Sequence, residues 1–164
     1  MTALNKLLSP LFLSDREIKK VIELLFFSYR DFIAGPDKLL EKIKFGRAHH
    51  RIIYFVGKKN NITIKDLLAI LQITKQSLSR VLNQLVSEGY INVTTGNDKR
   101  TKSLSLTKKG VDLENKLSTI QVNRIKKIRN IIKNSDENNI NGFKLMLYEM
   151  IDKKNKIKFD ELNN

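Results

Sequence analysis

Between Ile62 and Leu106 the apolar residues repeat twice with helical spacing and then switch to alternation, and few folds accommodate that order. Thr63 can cap the opening turn of a first helix, with Asp66 placed to reach back as in a capping box, and that helix turns Leu67, Leu68 and Leu71 inward. After the turn Gln72-Ile73, Thr74 caps a second helix whose Leu78, Val81, Leu82 and Leu85 form one stripe. Glu88-Gly89-Tyr90 ends it, Gly89 being free to take the left-handed cap conformation. Ile91 and Val93 then alternate with Asn92 and Thr94, and Leu104 and Leu106 with Ser103 and Ser105. This predicts a two-stranded hairpin that turns at Gly96-Asn97.

Helix, turn, helix and hairpin in this order predict a winged helix-turn-helix. Beyond Thr74, the polar face of the second helix reads Lys75, Gln76, Ser77, Ser79, Arg80, Asn83 and Gln84. Arg pairs with guanine and Asn or Gln with adenine in a major groove, so the composition suits base reading. Any solvated helix face is polar, and the hairpin is what adds weight. Its tip carries Asp98, Lys99, Arg100 and Lys102, charges that so short a hairpin cannot bury and that must lie in water or against phosphates. Arg100 is long enough to enter a minor groove.

These residues resemble the MarR family of winged-helix regulators. The resemblance is carried by Leu67 and Leu71, by Ile73-Thr74-Lys75-Gln76-Ser77-Leu78-Ser79-Arg80 and by Glu88-Gly89-Tyr90-Ile91. Asp98-Lys99-Arg100 fits the wing signature of Asp, any residue, Arg, and Leu106-Thr107-Lys108-Lys109-Gly110 fits the opening of the next long helix. Phe45-Gly46-Arg47-Ala48-His49-His50-Arg51 is similar, more narrowly, to the PetP-like branch. The resemblance implies a homodimer on a pseudo-palindromic operator, usually a repressor and often released by a small ligand. It implies that Ser77, Ser79 and Arg80 lie in the major groove, that Arg100 reaches the minor groove and that Asp98 braces Arg100. Lys99 stands where another Arg is frequent, which weakens the expected grip of the wing.

Charge agrees with a polyanionic partner: Lys and Arg outnumber Asp and Glu by 31 to 17, a net +14. Most of the 31 cations are Lys, and codons drifting towards A and T would produce the same bias, so placement matters more than the total. From Lys99 to Lys133 there are eleven Lys or Arg and two acidic residues, Asp112 and Glu114. Helix-plus-hairpin geometry then favours double-stranded DNA, whose major groove is wide, over A-form RNA.

The flanks predict helices. Ser14 and Glu17 form a capping box and Leu13 and Ile18 a hydrophobic staple, opening a helix expected to stop at Gly35-Pro36. Its apolar residues cover too much of the circumference for a surface helix, and a second subunit is the expected cover. A helix capped at Thr107 is expected to run to about Lys133, with another starting at Ser135-Asp136 and carrying Ile140, Phe143, Met146, Leu147, Met150 and Ile151. The fold class is mainly α with a small β-hairpin: one domain over residues 1–164, with dimerisation helices at 14–44 and 107–152, the winged helix-turn-helix at 46–106 and a fraying polar tail at 153–164.

Catalysis finds little footing. His49 and His50 are adjacent, so on a helix they project about 100° apart and cannot share a metal in the usual way. There is no Gly-rich phosphate loop or nucleophile elbow, and no Cys for thiolate metal sites, disulfides or thiol sensing. No cofactor or enzyme activity is expected. Arg47, His49, His50 and Arg51 form the one cluster to weigh as a ligand site: the resemblance implies aromatic-acid binding nearby, and two Arg and two His suit the carboxylate of a small aromatic or carboxylate effector, with Phe26, Tyr29 and Tyr54 as aromatic walls. The blander reading, that they bond helix ends or phosphates, is preferred. Neither a signal peptide nor a long apolar run is present, which predicts a soluble, cytoplasmic protein without a membrane partner. Two other functions fit the fold: an architectural DNA-binding protein without an operator, and a protein-interaction adaptor.

Overall fold

A computed structural model describes residues 14–95, 101–131 and 137–163, so Leu13, Gly96, Asn97, Asp98, Lys99, Arg100, Ser135 and Asp136 lie outside the described residues. The chain divides into two units, residues 1–35 and 36–164. In order the elements are α1 (Asp15–Glu41), α2 (Arg47–Lys58), β1 (Ile62–Thr63), α3 (Ile64–Leu71), α4 (Lys75–Ser87), β2 (Ile91–Thr95), β3 (Lys102–Leu106), α5 (Lys108–Ile131), α6 (Glu137–Glu149) and α7 (Lys153–Asn163).

In the first unit, Ser14 opens α1 by donating its backbone N–H and its hydroxyl to Glu17 Oε2, each at 3.0 Å. Those bonds stabilise the carboxylate and hold Glu17 below the usual carboxylate range. Ile18, Ile22, Leu24, Phe26, Phe27 and Tyr29 are exposed along this helix, Phe26 to 72%.

The expected stop at Gly35-Pro36 does not occur: α1 continues through Pro36 to Glu41. Proline already has a helical φ, and its cost is the missing N–H and the crowding of its ring on the preceding turn. Pro36 and Leu40, one turn apart, are both buried, and that burial carries the helix past the break.

The core of the second unit joins Leu40, Phe45, Ile52, Ile53, Val56 and Ile62 to Leu67, Leu78, Leu82, Leu85, Ile91, Leu104, Leu113 and Leu117. It does not stop at either end of residues 46–106, because Leu40 precedes that stretch and α5 contributes Leu113 and Leu117. Val122, Ile125 and Ile128, further along α5, are exposed, as are Phe143, Leu145, Met146 and Leu147 on α6 and Met150 just beyond it.

The sheet has three strands, where the sequence predicted two. β3 lies between β1 and β2, antiparallel to both, with Ile62 opposite Leu104, Thr63 opposite Ser103 and Ile91 opposite Leu106. A two-residue strand carries no readable alternation, which is why β1 escaped. The tail is corrected as well: Lys153–Asn163 is the helix α7. Its mostly polar surface hid ties both to neighbouring residues and to the end of α3. Lys156 Nζ meets Glu149 Oε2 at 2.6 Å, the Tyr148 hydroxyl donates to Asp160 Oδ2 at 3.1 Å, and Gln72 Nε2 donates to Asn155 Oδ1 at 2.6 Å.

Candidate nucleic-acid interface

α4 is held by its apolar stripe: Leu78, Val81, Leu82 and Leu85 are buried, which leaves the opposite side in water. Thr74 starts the helix in extended backbone, its hydroxyl oxygen accepting the Ser77 N–H at 3.1 Å and donating to Ser77 Oγ at 2.9 Å. The Ser77 hydroxyl is thereby engaged with its own cap. Lys75, Gln76, Ser77, Ser79, Arg80 and Asn83 are all exposed.

The structure sorts that polar set. Lys75, Ser79 and Asn83 line a groove between α4 and the hairpin, facing Thr63, Lys65 and Asp66 from the start of α3 and Val93, Thr101 and Lys102 from the strands. Gln76 and Arg80 are not among the groove's lining residues. Thr63, Lys65 and Thr101 were missed by sequence reasoning, since a cap and a single lysine carry no periodic signal. Val93, expected to alternate inward, is 38% exposed and lines the groove, because β2 is an edge strand, whereas Leu104 directly opposite it is covered on the central strand β3.

Thr63 caps α3 by accepting the Asp66 N–H at 3.0 Å, while the Asp66 carboxylate turns to Lys59 Nζ at 3.8 Å. At its other end α3 stops on Gln72, whose φ of 51° is left-handed. The hairpin is fixed at its base by Thr107, whose N–H donates to the Tyr90 carbonyl at 3.0 Å and whose hydroxyl donates to the Gly89 carbonyl at 2.7 Å. Gly89 itself has φ +75°, the left-handed conformation expected of it.

The Arg and His cluster is distributed among helix ends. His49 Nδ1 accepts the Gly46 N–H at 3.1 Å at the start of α2, and its Nε2 lies 2.9 Å from Gln84 Oε1 on α4. Arg51 donates to the Leu71 carbonyl at 3.3 Å at the end of α3. Arg47 meets Asp37 at 2.9 Å. Burial pushes the His50 imidazole below its ordinary range, against the opposing pull of the Asp37 and Glu114 carboxylates. Tyr29 belongs to the first unit.

The residues from 44 to 101 match the family model described as MarR family. The HTH-type transcriptional regulator PetP of Rhodobacter capsulatus is 41% identical over 143 residues, which cover 87% of this chain and 84% of that protein. The chain belongs to the MarR family. Its fold is that of MarR-family winged-helix structures. Streptococcus pneumoniae FabT in complex with DNA superposes with a TM-score of 0.69 at 22% identity, covering 81% of this chain and 94% of that one. A mutant of E. coli MarR complexed with operator DNA gives 0.62 at 20% identity, covering 88% and 100%. MarR-family membership assigns the chain to transcriptional regulators, which are not an enzyme class. Among the described residues no helix is long and apolar enough to cross a membrane, and no cluster of His and carboxylates could hold a metal ion.

Proposed function

We propose that the chain is a sequence-specific, double-stranded-DNA-binding repressor that acts in the cytoplasm as a homodimer on a pseudo-palindromic operator. The observation that carries this reading is the division of α4 into a buried stripe and an exposed face of Lys75, Gln76, Ser77, Ser79, Arg80 and Asn83 at its N-terminal turns. A recognition helix presents those turns to base edges in a major groove about 12 Å wide. The groove between α4 and the hairpin is lined by Lys65, Lys75 and Lys102, cations suited to a phosphate strand. Arg100, at the tip of the wing, is assigned to the minor groove, with Asp98 as its brace and Lys99 on the backbone. FabT in complex with DNA and the MarR mutant complexed with operator DNA share this fold, which supports DNA as the partner.

Exposed apolar residues on α1, α5 and α6 support the second subunit. Within this proposal an effector is a small carboxylate that would compete with Asp37 for Arg47, whose side chain is 63% exposed.

Selection from a random duplex pool tests the reading. The expected product is a site with two inverted half-sites about 10 bp apart, centre to centre. Equal recovery of all sequences would favour the architectural alternative, and no binding to any duplex at low salt would leave the adaptor.

A further inference from the structure

A polar chain runs between α2 and α4 on residues that neither the core nor the DNA-facing set uses. The Gly46 N–H can only donate, so the His49 Nδ1 that meets it at 3.1 Å must present a lone pair. A neutral imidazole with Nδ1 bare carries its proton on Nε2, so His49 donates to Gln84 Oε1 at 2.9 Å. The far end of the Gln84 amide requires the same orientation, because its Nε2 donates to Glu88 Oε1 at 3.0 Å. Phe45 stacks on the imidazole with centroids 4.3 Å apart and planes 3° from parallel, and Tyr90 meets Phe45 edge-on at 5.1 Å. Each partner demands the same tautomer.

From this geometry we infer that His49 is a positioning residue for α4: its Nε2–H, through Gln84, sets the rotation of the helix about its own axis. Burial of Leu78, Val81, Leu82 and Leu85 fixes which side of α4 faces inward, but apolar contact is non-directional and tolerates a small roll. A hydrogen bond is directional and does not. Gln84 lies one turn beyond Arg80, so a roll at Gln84 moves the Arg80 side chain across the face it presents.

The charged and titratable groups around this chain are named by the same geometry. Glu88 lies beyond Gln84 on α4, Tyr90 lies behind Phe45, and from α5 Lys109 Nζ sits 4.1 Å over the Tyr90 ring and donates to the Glu88 carbonyl at 2.8 Å. Next along α2 is His50, under the charges of Asp37 and Glu114.

The inference rests on the DNA-reading role proposed for α4, and the test separates the two. Binding of the wild type, His49→Gln and Gln84→Met to the selected operator and to an unrelated duplex is measured by fluorescence anisotropy at neutral pH. Nitrogen-15 spectra of the imidazoles are recorded on the same chains without DNA. Gln is a preferred residue at the third helical position and keeps the cap, while Met matches Gln in length without its amide. The wild type should show the Nε2–H tautomer at His49, and both variants should lose about tenfold of its preference for the operator. Wild-type preference in both variants, or an Nδ1–H tautomer at His49, would overturn the role of His49 alone. A wild type with no preference among duplexes would overturn the DNA reading first, and the inference with it.

Discussion

Gly110 passes so close to Tyr90 that a Cβ on it would lie 2.1 Å from the Tyr90 carbonyl oxygen. The same oxygen accepts the N–H of Thr107, and Thr107 Oγ1 in turn accepts the Gly110 N–H at 3.0 Å. The first turn of α5 is thereby fastened to the residue that follows the end of α4. A side chain at Gly110 must push α5 away and stretch these bonds. Gly110→Ala should therefore lower stability by about 1–3 kcal/mol. A urea midpoint equal to that of the wild type would mean that α5 can shift from Tyr90 without cost.

Arg80 and Lys75 leave α4 on different sides, and their variants should differ in kind. Arg80→Ala should weaken operator binding by about 1–3 kcal/mol and relax preference at one base position per half-site. Lys75→Ala and Lys102→Ala, both in the groove, should each weaken all duplexes alike and reduce the salt slope by about one unit. Competition binding on the operator and a scrambled duplex at several salt concentrations checks both. Equal losses for Arg80→Ala on the two duplexes would assign Arg80 to a phosphate.

His50 predicts a direction in acid. Its folded-state pKa lies below its ordinary value chiefly through burial, so the unfolded chain takes up the proton first as pH falls. This contribution to stability is complete above the ordinary imidazole range and is lost as pH drops through that range towards the lower folded-state value. Urea midpoints recorded from neutral pH downward should fall less steeply for His50→Gln than for the wild type. A steeper fall in the variant would place the opposing carboxylates, Asp37 and Glu114, in control.

Phe26 on α1 is exposed to 72% and Phe27 to 58%, more apolar surface than an isolated helix face leaves in water. Phe26→Asp combined with Phe27→Asp should turn a dimer into a folded monomer at micromolar concentration, read by light scattering with circular dichroism as the check on folding. A double variant that keeps the dimer mass would place the interface elsewhere.

The two helices of the DNA-reading motif and the hairpin were legible because each has a strong period and a capping residue. Thr63, Thr74 and Gly89 adopt the cap conformations their residue types favour. Pro36 misled for a physical reason: local chemistry argues for a stop, while the burial of Pro36 and Leu40 is a tertiary effect that a window of sequence does not contain. β1 is too short to show alternation, and α7 is too polar to show a stripe. In the candidate interface the exposed face of α4 could be read, but its division into groove-lining and outward residues depends on where the hairpin folds back. The link from His49 to Gln84 spans 35 residues. Its only sequence trace is a His three residues after Gly46, where a capping box would carry Glu or Gln.

Thr63 ends β1 opposite Ser103 and at the same time caps α3 through the Asp66 N–H. A twist of the hairpin is thus applied directly to the first turn of α3, with no slack between them. Wing and helix pair form one lever whose pitch is set at Thr63.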